Sequence, residues 1–254
     1  EDCYAVAKAL YSGQFVLNVK PENITLIGDS AGGNLCAALS LMARDRKEFM
    51  PSRQILIYPA TYNDYTEKSP FASVKENGTD WCYVVPGNYG MDFLREELGV
   101  DEEVTVKCSN YIGDTIDDAK LLGMKGILFI GHIGKFVKLA AGVMNTHSRQ
   151  ADCRMEVLAV HAALEGADSH TVRSVMDCVN TSEALRVLKE CGLLEKVMES
   201  VMERIEFYLT NRAGEALDIA AVVFSNEEGV LGKTSKADSL FEQTSRFVRQ
   251  KKGR

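Results

Sequence analysis

Residues 125–148 read KGILFIGHIGKFVKLAAGVMNTHS. The opening KGILFIG (125–131) is a short apolar run closed by glycine, the pattern of a strand buried on both faces. KFVKLAAGVM (135–144) then repeats apolar residues at helical spacing, so strand, tight turn and helix follow one another. The same rhythm surrounds this stretch. YVVP (83–86) is strand-like and leads through Gly87-Asn88-Tyr89-Gly90 into the helical MDFLREELG. VTVKCSN (104–110) reads as a strand, and DTIDDAKLLG (114–123) as a helix ended by Gly123. Residues 151–212 are mostly helical, ALDIAAVVFS (216–225) is a last buried strand, and 236–251 a last helix. Strands alternating with helices predict an α/β fold of parallel β-α-β units. Ligands of such sheets bind at the carboxyl ends of the strands.

The N-terminal part has its own β-α-β pattern. Residues 2–12 look helical, and ITLIGDSAGGNL (24–35) passes from a buried strand through a glycine-rich turn into a helix over 31–46. Residues 37, 38, 41 and 42 are expected on its inner face. Pro51 breaks the chain before QILIYP (54–59), a second buried strand, and the polar 60–81 reads as a loop or linker. Ser30 stands at the tip of a G-x-S-x-G turn, where a nucleophilic serine is exposed beside backbone amides. The same five residues are compatible with a turn that is only structural. The chain opens at Glu1 within a helical pattern and without Met, so a piece of something longer is the expectation.

Composition narrows the classes. With 254 residues, 46% of them hydrophobic and 26% charged, the chain is an ordinary soluble one able to bury a sizeable core. A net charge of −7, shared by both parts, argues against a partner held by phosphate neutralisation, so no nucleic acid is expected. No apolar run is long enough for a membrane span. The seven cysteines lack regular spacing and read as reduced thiols of a cytoplasmic protein.

GDSAGGNL, followed by a helix and QILIYPA, resembles the hormone-sensitive-lipase-type esterases of the α/β-hydrolase fold over about residues 1–81. That resemblance implies ester hydrolysis through Ser30. A working esterase also needs an oxyanion loop upstream and an Asp and His downstream. No such loop precedes Ser30. The histidines at 132, 147, 161 and 170 include an Asp168-Ser169-His170 in the right order, but without the family's context. A fragment of two strands is expected to be loosely packed or to dock on the rest.

From residue 83 the chain resembles a second family. YVVPGNYGMDFLREELG, NYIGDTIDDAKLLGMKGILFIGHIGKFVKLAAGVMNTHSRQADCRMEVLAVHAALEGA and VVFSNEEGVLG are similar to the cobalt-precorrin-5B C(1)-methyltransferases. The resemblance covers only the C-terminal part of that family. It implies transfer of a methyl group from S-adenosylmethionine to C-1 of a cobalt-precorrin in corrin ring biosynthesis. The expected organisation is a truncated hydrolase fragment over 1–81 and a methyltransferase-like domain over 83–254 with a helical insertion, joined near Trp81-Cys82. A natural fusion, a rearranged gene and an assembly error are all compatible with such a junction.

The second resemblance gives the residues roles by position. Gly87, Asn88, Gly90, Asn110, Asp114, Gly131 and Gly134 are expected to shape the S-adenosylmethionine pocket. Lys135, Lys138, Arg149 and Arg154 are expected to hold the carboxylate arms of the corrinoid. His147 is the candidate catalytic residue, and capping its own turn is the alternative. Other readings of GHIGK stay open: glycines that only permit a turn, and lysines on a solvated face. It is not a P-loop, since 129 and 136 are both Phe. A metal set of His132, His147, Cys153 and His161 lacks close ligand pairs, so no metal is expected. The other classes considered are a carboxylic ester hydrolase using Ser30 and an inactive binding or scaffold chain.

Overall fold

The computed structural model describes residues 2–14, 19–29, 31–57, 59, 69–96, 99–100 and 102–252. The chain divides into two compact units, Glu1–Glu67 and Lys68–Arg254.

The first unit contains α1 (Asp2–Tyr11), β1 (Thr25–Asp29), α2 (Ala31–Arg46) and β2 (Arg53–Ile57). β1 and β2 pair in parallel from Thr25↔Arg53 to Asp29↔Ile57, with α2 as the crossover. The strands stand where the sequence puts them, but they are not buried. Ile27 is 62% exposed and Ile55 50%. Within the described residues of this unit, the two-stranded sheet has one helical layer and no further strands. The inner face of α2 also differs from the expectation: Gly33, Leu39 and Ala43 are buried, whereas Ala38 and Leu41 are exposed. The small core joins Leu39 and Ala43 to Tyr4 and Ala7 of α1.

The second unit begins inside the stretch expected to be a linker. There, α3 (Pro70–Glu76) has Pro in its first turn and buries Phe71 and Val74. It is followed by β3 (Trp81–Val85), α4 (Asn88–Glu96), β4 (Thr105–Lys107), α5 (Ile112–Leu121) and β5 (Gly126–His132). α6 (Ile133–Phe136) runs into a 3-10 turn over Val137–Ala141, so the helix expected over 135–144 is shorter and tighter. Four helices come next: α7 (Arg154–Leu164), α8 (Ser169–Met176), α9 (Thr181–Glu190) and α10 (Leu194–Ala213). β6 (Asp218–Ser225), β7 (Gly229–Lys233) and α11 (Ala237–Lys252) complete it. The antiparallel edge strand β7 is absent from the sequence reading.

The sheet order is β4-β3-β5-β6-β7, with all pairs parallel except β6–β7. Side chains alternate between two cores. Cys82, Val84, Ile127, Phe129, Ala221 and Val223 pack with residues of α5, α7 and α10. Tyr83, Val85, Leu128, Ile130, Val222 and Phe224 pack with residues of α4 and α11 on the opposite face. The chain leaves β3 towards β4 and returns across it to β5, so the crossover direction reverses beside β3 and β5. Such a reversal opens a crevice at the carboxyl ends of the two strands.

The two units differ in core size, and they are expected to unfold separately. Phe129→Ala is expected to lower the stability of the second unit by about 3–5 kcal/mol, and Leu39→Ala to act on the first by about 2–5 kcal/mol. Urea unfolding followed by fluorescence and circular dichroism is the check. Each substitution should shift one transition and leave the other in place. A single transition moved by both would show one cooperative unit.

Candidate functional site

The carboxyl edge of the second unit's sheet gathers most of the expected pocket residues. β3 ends into Pro86 and Gly87, with Asn88 opening α4, and β4 ends into Cys108, Ser109 and Asn110. β5 ends at His132, with Gly134 and Lys135 in α6. Gly87, Asn88, Asn110, Gly134 and Lys135 therefore stand on three adjacent strand ends. Asp114 is exposed one turn into α5.

Two of the expected pocket glycines are accounted for by internal packing. A Cβ on Gly131 would lie 2.4 Å from the Phe136 ring, and one on Gly90 2.9 Å from the Ile130 carbonyl oxygen. Their missing side chains let α6 and α4 close on the strands. Gly87 has nothing near such a position, and at Gly134 the His132 ring stands 3.3 Å away.

His132 caps α6. Its Nδ1 accepts the Gly134 N–H at 3.1 Å. Burial holds the imidazole below the usual histidine range, with Glu227 acting in the opposite sense. Lys135 is half-buried and has no hydrogen-bond or ion-pair partner among the described residues. Burial lowers its ammonium, the Cys108 side raises it, and Lys138 lowers it further. Burial pushes the Cys108 thiol up to about 12, so it stays protonated.

Lys138 has a different fate. It is 2% exposed, and its Nζ donates to the Thr146 carbonyl at 3.2 Å and the Ala151 carbonyl at 2.9 Å. Asp152 lies 4.0 Å away and is itself held by Arg154 through two bonds of 2.6 and 2.9 Å. The Arg154 guanidinium keeps the Asp152 carboxyl below the usual carboxylate range. Lys138 and Arg154, expected to meet a corrinoid, instead fix the 146–152 turn. Arg149 is exposed on that turn. His147 is exposed too, and its Nδ1 accepts the Arg149 N–H at 3.1 Å, which is the turn-capping geometry. The turn is tied to the β4 end, where Thr146 N–H donates to the Asn110 carbonyl at 2.9 Å and the Thr146 hydroxyl to Asn110 Oδ1 at 3.2 Å.

A cleft of about 510 Å³ opens beside this edge, lined by Tyr89, Asp92, Phe93 and Glu96 of α4 together with Phe224–Asn226, Gly229 and Val230. Phe93 stacks on Phe224 at 4.2 Å between ring centroids. These residues escaped the sequence reading. The spacing 89, 92, 93, 96 is one helix face and was a usable signal. The meeting of Phe93 with Phe224, 131 positions apart in the chain, was not.

Among the described residues no three His, Cys, Asp or Glu side chains form a group able to hold a metal. His161 bonds the Ser200 hydroxyl at 2.8 Å. Asp168 accepts the Thr171 N–H at 2.7 Å as the cap of α8, and His170 is exposed. Ser30 lies outside the described residues. Of its described neighbours, Gly28 and Gly32 approach closely: a Cβ on Gly28 would lie 2.2 Å from the Gly32 carbonyl oxygen. The first unit contains no histidine. No described helix is long and apolar enough to cross a membrane.

Comparison with known proteins separates the two parts. Residues 145–235 match the family described as CbiD, C-terminal domain, and residues 1–103 match the alpha/beta hydrolase fold. The two matches thus fall on different parts of the chain, and each covers less than half of it. A cobalt-precorrin-5B C(1)-methyltransferase of Ruminiclostridium cellulolyticum is 46% identical over 147 residues, 58% of this chain and 38% of the relative. Its counterpart from Clostridioides difficile is 39% identical over 171 residues, 66% of this chain and 42% of the relative. That of Alkaliphilus metalliredigens is 37% identical over 158 residues, 62% and 42%. The chain thus spans about four tenths of the length of these relatives. No solved structure matches it. The matched residues 145–235 include His147, Arg149, Arg154, α7–α10, β6 and β7. The hydrolase match runs past residue 81 and takes in β3 and α4 of the second unit.

The lysine pair gives a direct test of the site's construction. Lys138→Met leaves the Thr146 and Ala151 carbonyls without their cationic donor, so it should cost about 1.5–3 kcal/mol. Lys135→Met removes no bond and should change stability by about 0.5 kcal/mol or less. Denaturant midpoints of the second unit's transition measure both. Equal effects would contradict the different roles of the two lysines.

Proposed function

We propose that residues 83–254 are the ligand-binding part of an S-adenosylmethionine-dependent methyltransferase acting at C-1 of cobalt-precorrin-5B in corrin ring biosynthesis. The reading sets the protein in the cytoplasm with its thiols reduced. Residues 1–81 are the hydrolase-derived part. The observation that carries the reading is the aromatic, acid-rimmed cleft beside GHIGK, in a segment similar to curated methyltransferases.

The residues present fit the methyl donor. A volume of about 510 Å³ suits a nucleoside-sized molecule. Tyr89 and the Phe93–Phe224 stack offer faces for a purine. Asp92 and Glu96 bring negative charge to a rim that suits a sulfonium and an ammonium group. When bound, the donor supplies a methyl group on a positively charged sulfur, open to in-line attack by carbon. The protein's task is then mainly alignment and exclusion of water. Gly134 and Gly87 leave the backbone of two strand ends approachable. Lys135, a half-buried cation without a partner among the described residues, is the cation proposed to meet a carboxylate arm of the corrinoid, with Arg149 as a second on the neighbouring turn. Lys138 and Arg154 contribute by holding that turn. His147, exposed and capping its turn through Nδ1, is given no part in the chemistry.

A second reading, carboxylic ester hydrolysis through Ser30, is favoured by the hydrolase match over residues 1–103 and opposed by the lack of a histidine in the first unit.

Binding, rather than turnover, is the appropriate measurement for a chain spanning about four tenths of its relatives. Calorimetry should show the wild-type chain binding S-adenosylhomocysteine and a carboxylate-rich corrinoid. Lys135→Ala should weaken the corrinoid about 10- to 150-fold, the worth of one charge-assisted contact. Binding of neither ligand would overturn the reading, and unchanged corrinoid binding would overturn the role of Lys135. Short-chain nitrophenyl esters should give no turnover above that of Ser30→Ala. A rate lost on that substitution would favour the hydrolase instead.

A further inference from the structure

His132 ends β5 and caps α6, and its hydrogen bonding fixes which tautomer it holds. Nδ1 accepts the Gly134 N–H at 3.1 Å, so that nitrogen carries no proton. The single ring proton of the neutral imidazole is therefore on Nε2. Among the described residues, Nε2–H has no hydrogen-bond partner. Charging the ring would need a proton on Nδ1 and would displace the Gly134 N–H. Burial acts in the same direction, and Glu227 opposes it.

The ring lies behind two side chains of the cleft lining. Its centroid is 5.9 Å from that of Tyr89 and 5.7 Å from that of Phe224, with Phe224 edge-on at 87°. Both aromatic residues line the cleft. The charged side chains on this side include Asp92 and Glu96 in the lining and Glu227 close to the ring, while Glu228, next to Ser225, is paired with Lys189. Three acids disfavour a ligand carboxylate next to His132. An uncharged acceptor, such as a purine nitrogen or a ribose oxygen, meets no such repulsion.

We propose that His132 is a fixed neutral donor whose Nε2–H binds an uncharged acceptor on the adenosine portion of the methyl donor. This rests on the methyltransferase reading above. Gly134 then has a definite part: its N–H orients the imidazole, and the imidazole orients the ligand. The role is one of binding and positioning, with no proton transferred.

Two amide substitutions separate the ends of the ring. His132→Asn places an acceptor where Nδ1 is and keeps the cap on Gly134, but has no distal donor. His132→Gln extends its NH2 towards the Nε2 position and gives up the cap. The probes are S-adenosylhomocysteine and 5′-methylthioadenosine, which keeps the adenosine and lacks the amino-acid end. His132→Asn should weaken both probes about 3- to 10-fold, the worth of one neutral hydrogen bond, with its unfolding midpoint near wild type. His132→Gln should bind both more tightly than His132→Asn while unfolding earlier. Wild-type affinity in His132→Asn would overturn the proposal. So would a loss confined to S-adenosylhomocysteine, which would assign the contact to the carboxylate end. Failure of the wild type to bind either probe would remove the methyltransferase reading and this proposal together, an outcome distinct from normal wild-type binding with an indifferent Asn variant.

Discussion

The pairing of β5 on both edges is the constraint from which the larger unit follows. Ile127 is in register with Cys82 of β3 on one side and Ile219 of β6 on the other, all in parallel. A strand paired on both edges has no free backbone donors or acceptors in its middle, and parallel neighbours demand crossover helices on the faces. Both faces of β5 are therefore apolar: Ile127 and Phe129 face one core, Leu128 and Ile130 the other. Close layering then limits side-chain size at the strand's ends. A Cβ on Gly126 would lie 2.2 Å from the Trp81 ring, and one on Gly131 2.4 Å from Phe136. The glycines that look like ligand contacts in the sequence are in part those that let the layers close. With the strands aligned in parallel, their carboxyl ends share one edge, and short loops there suffice to build a site.

The first unit shows what the same β-α-β pattern gives without further strands. Its parallel pair has five matched positions, yet β1 alternates only between exposed and half-buried residues. Tyr4, Ala7, Leu39 and Ala43 form its whole buried hydrophobic cluster among the described residues. Aromatic contacts supplement it, with Phe49 stacked on Tyr11 at 4.8 Å and tilted against Tyr4 at 5.5 Å. Burial at about 25 cal/mol per Å² cannot make such a cluster comparable to the larger unit's two cores. The close approach of Gly28 to Gly32 is thus a local feature on a weak foundation. Local pattern and global stability are different properties, and the nucleophile-elbow sequence reports only on the first.

This separation explains what the sequence disclosed. Strand–helix alternation, the parallel class and the carboxyl edge of the sheet were legible, because apolar periodicity and strand-ending glycines are local signals. Burial of β1 and β2 was misread, since a run such as LIG looks the same whether or not another layer covers it. α3 was hidden in a polar stretch, although Ser69-Pro70 and the spacing of Phe71 and Val74 mark a helix start. β7 was missed because Gly229 to Lys233 is too short and too exposed to show periodicity. Of the residues proposed for the site, Lys135 and Gly134 were singled out by motif. The cleft walls depended on Phe93 reaching Phe224, a tertiary contact that no local pattern encodes.

Lys135 and Lys138 show most directly why motif position does not assign a role. Both belong to one GHIGKFVK run, and both were candidates for the same ligand. An ammonium taken fully out of water needs compensating partners, and Lys138 has two carbonyl oxygens and a carboxylate within 4.0 Å. Those partners come from residues 146–152, so the buried lysine sets the course of that turn. The positions of His147 and Arg149 at the surface depend on it. Lys135 is only half-buried and has no such partners among the described residues, so compensation for its partial desolvation comes from water or from a ligand. One lysine thus builds the rim while its neighbour is left available at it. The difference arises from the turn that closes over Lys138, which is a property of the fold and not of the motif.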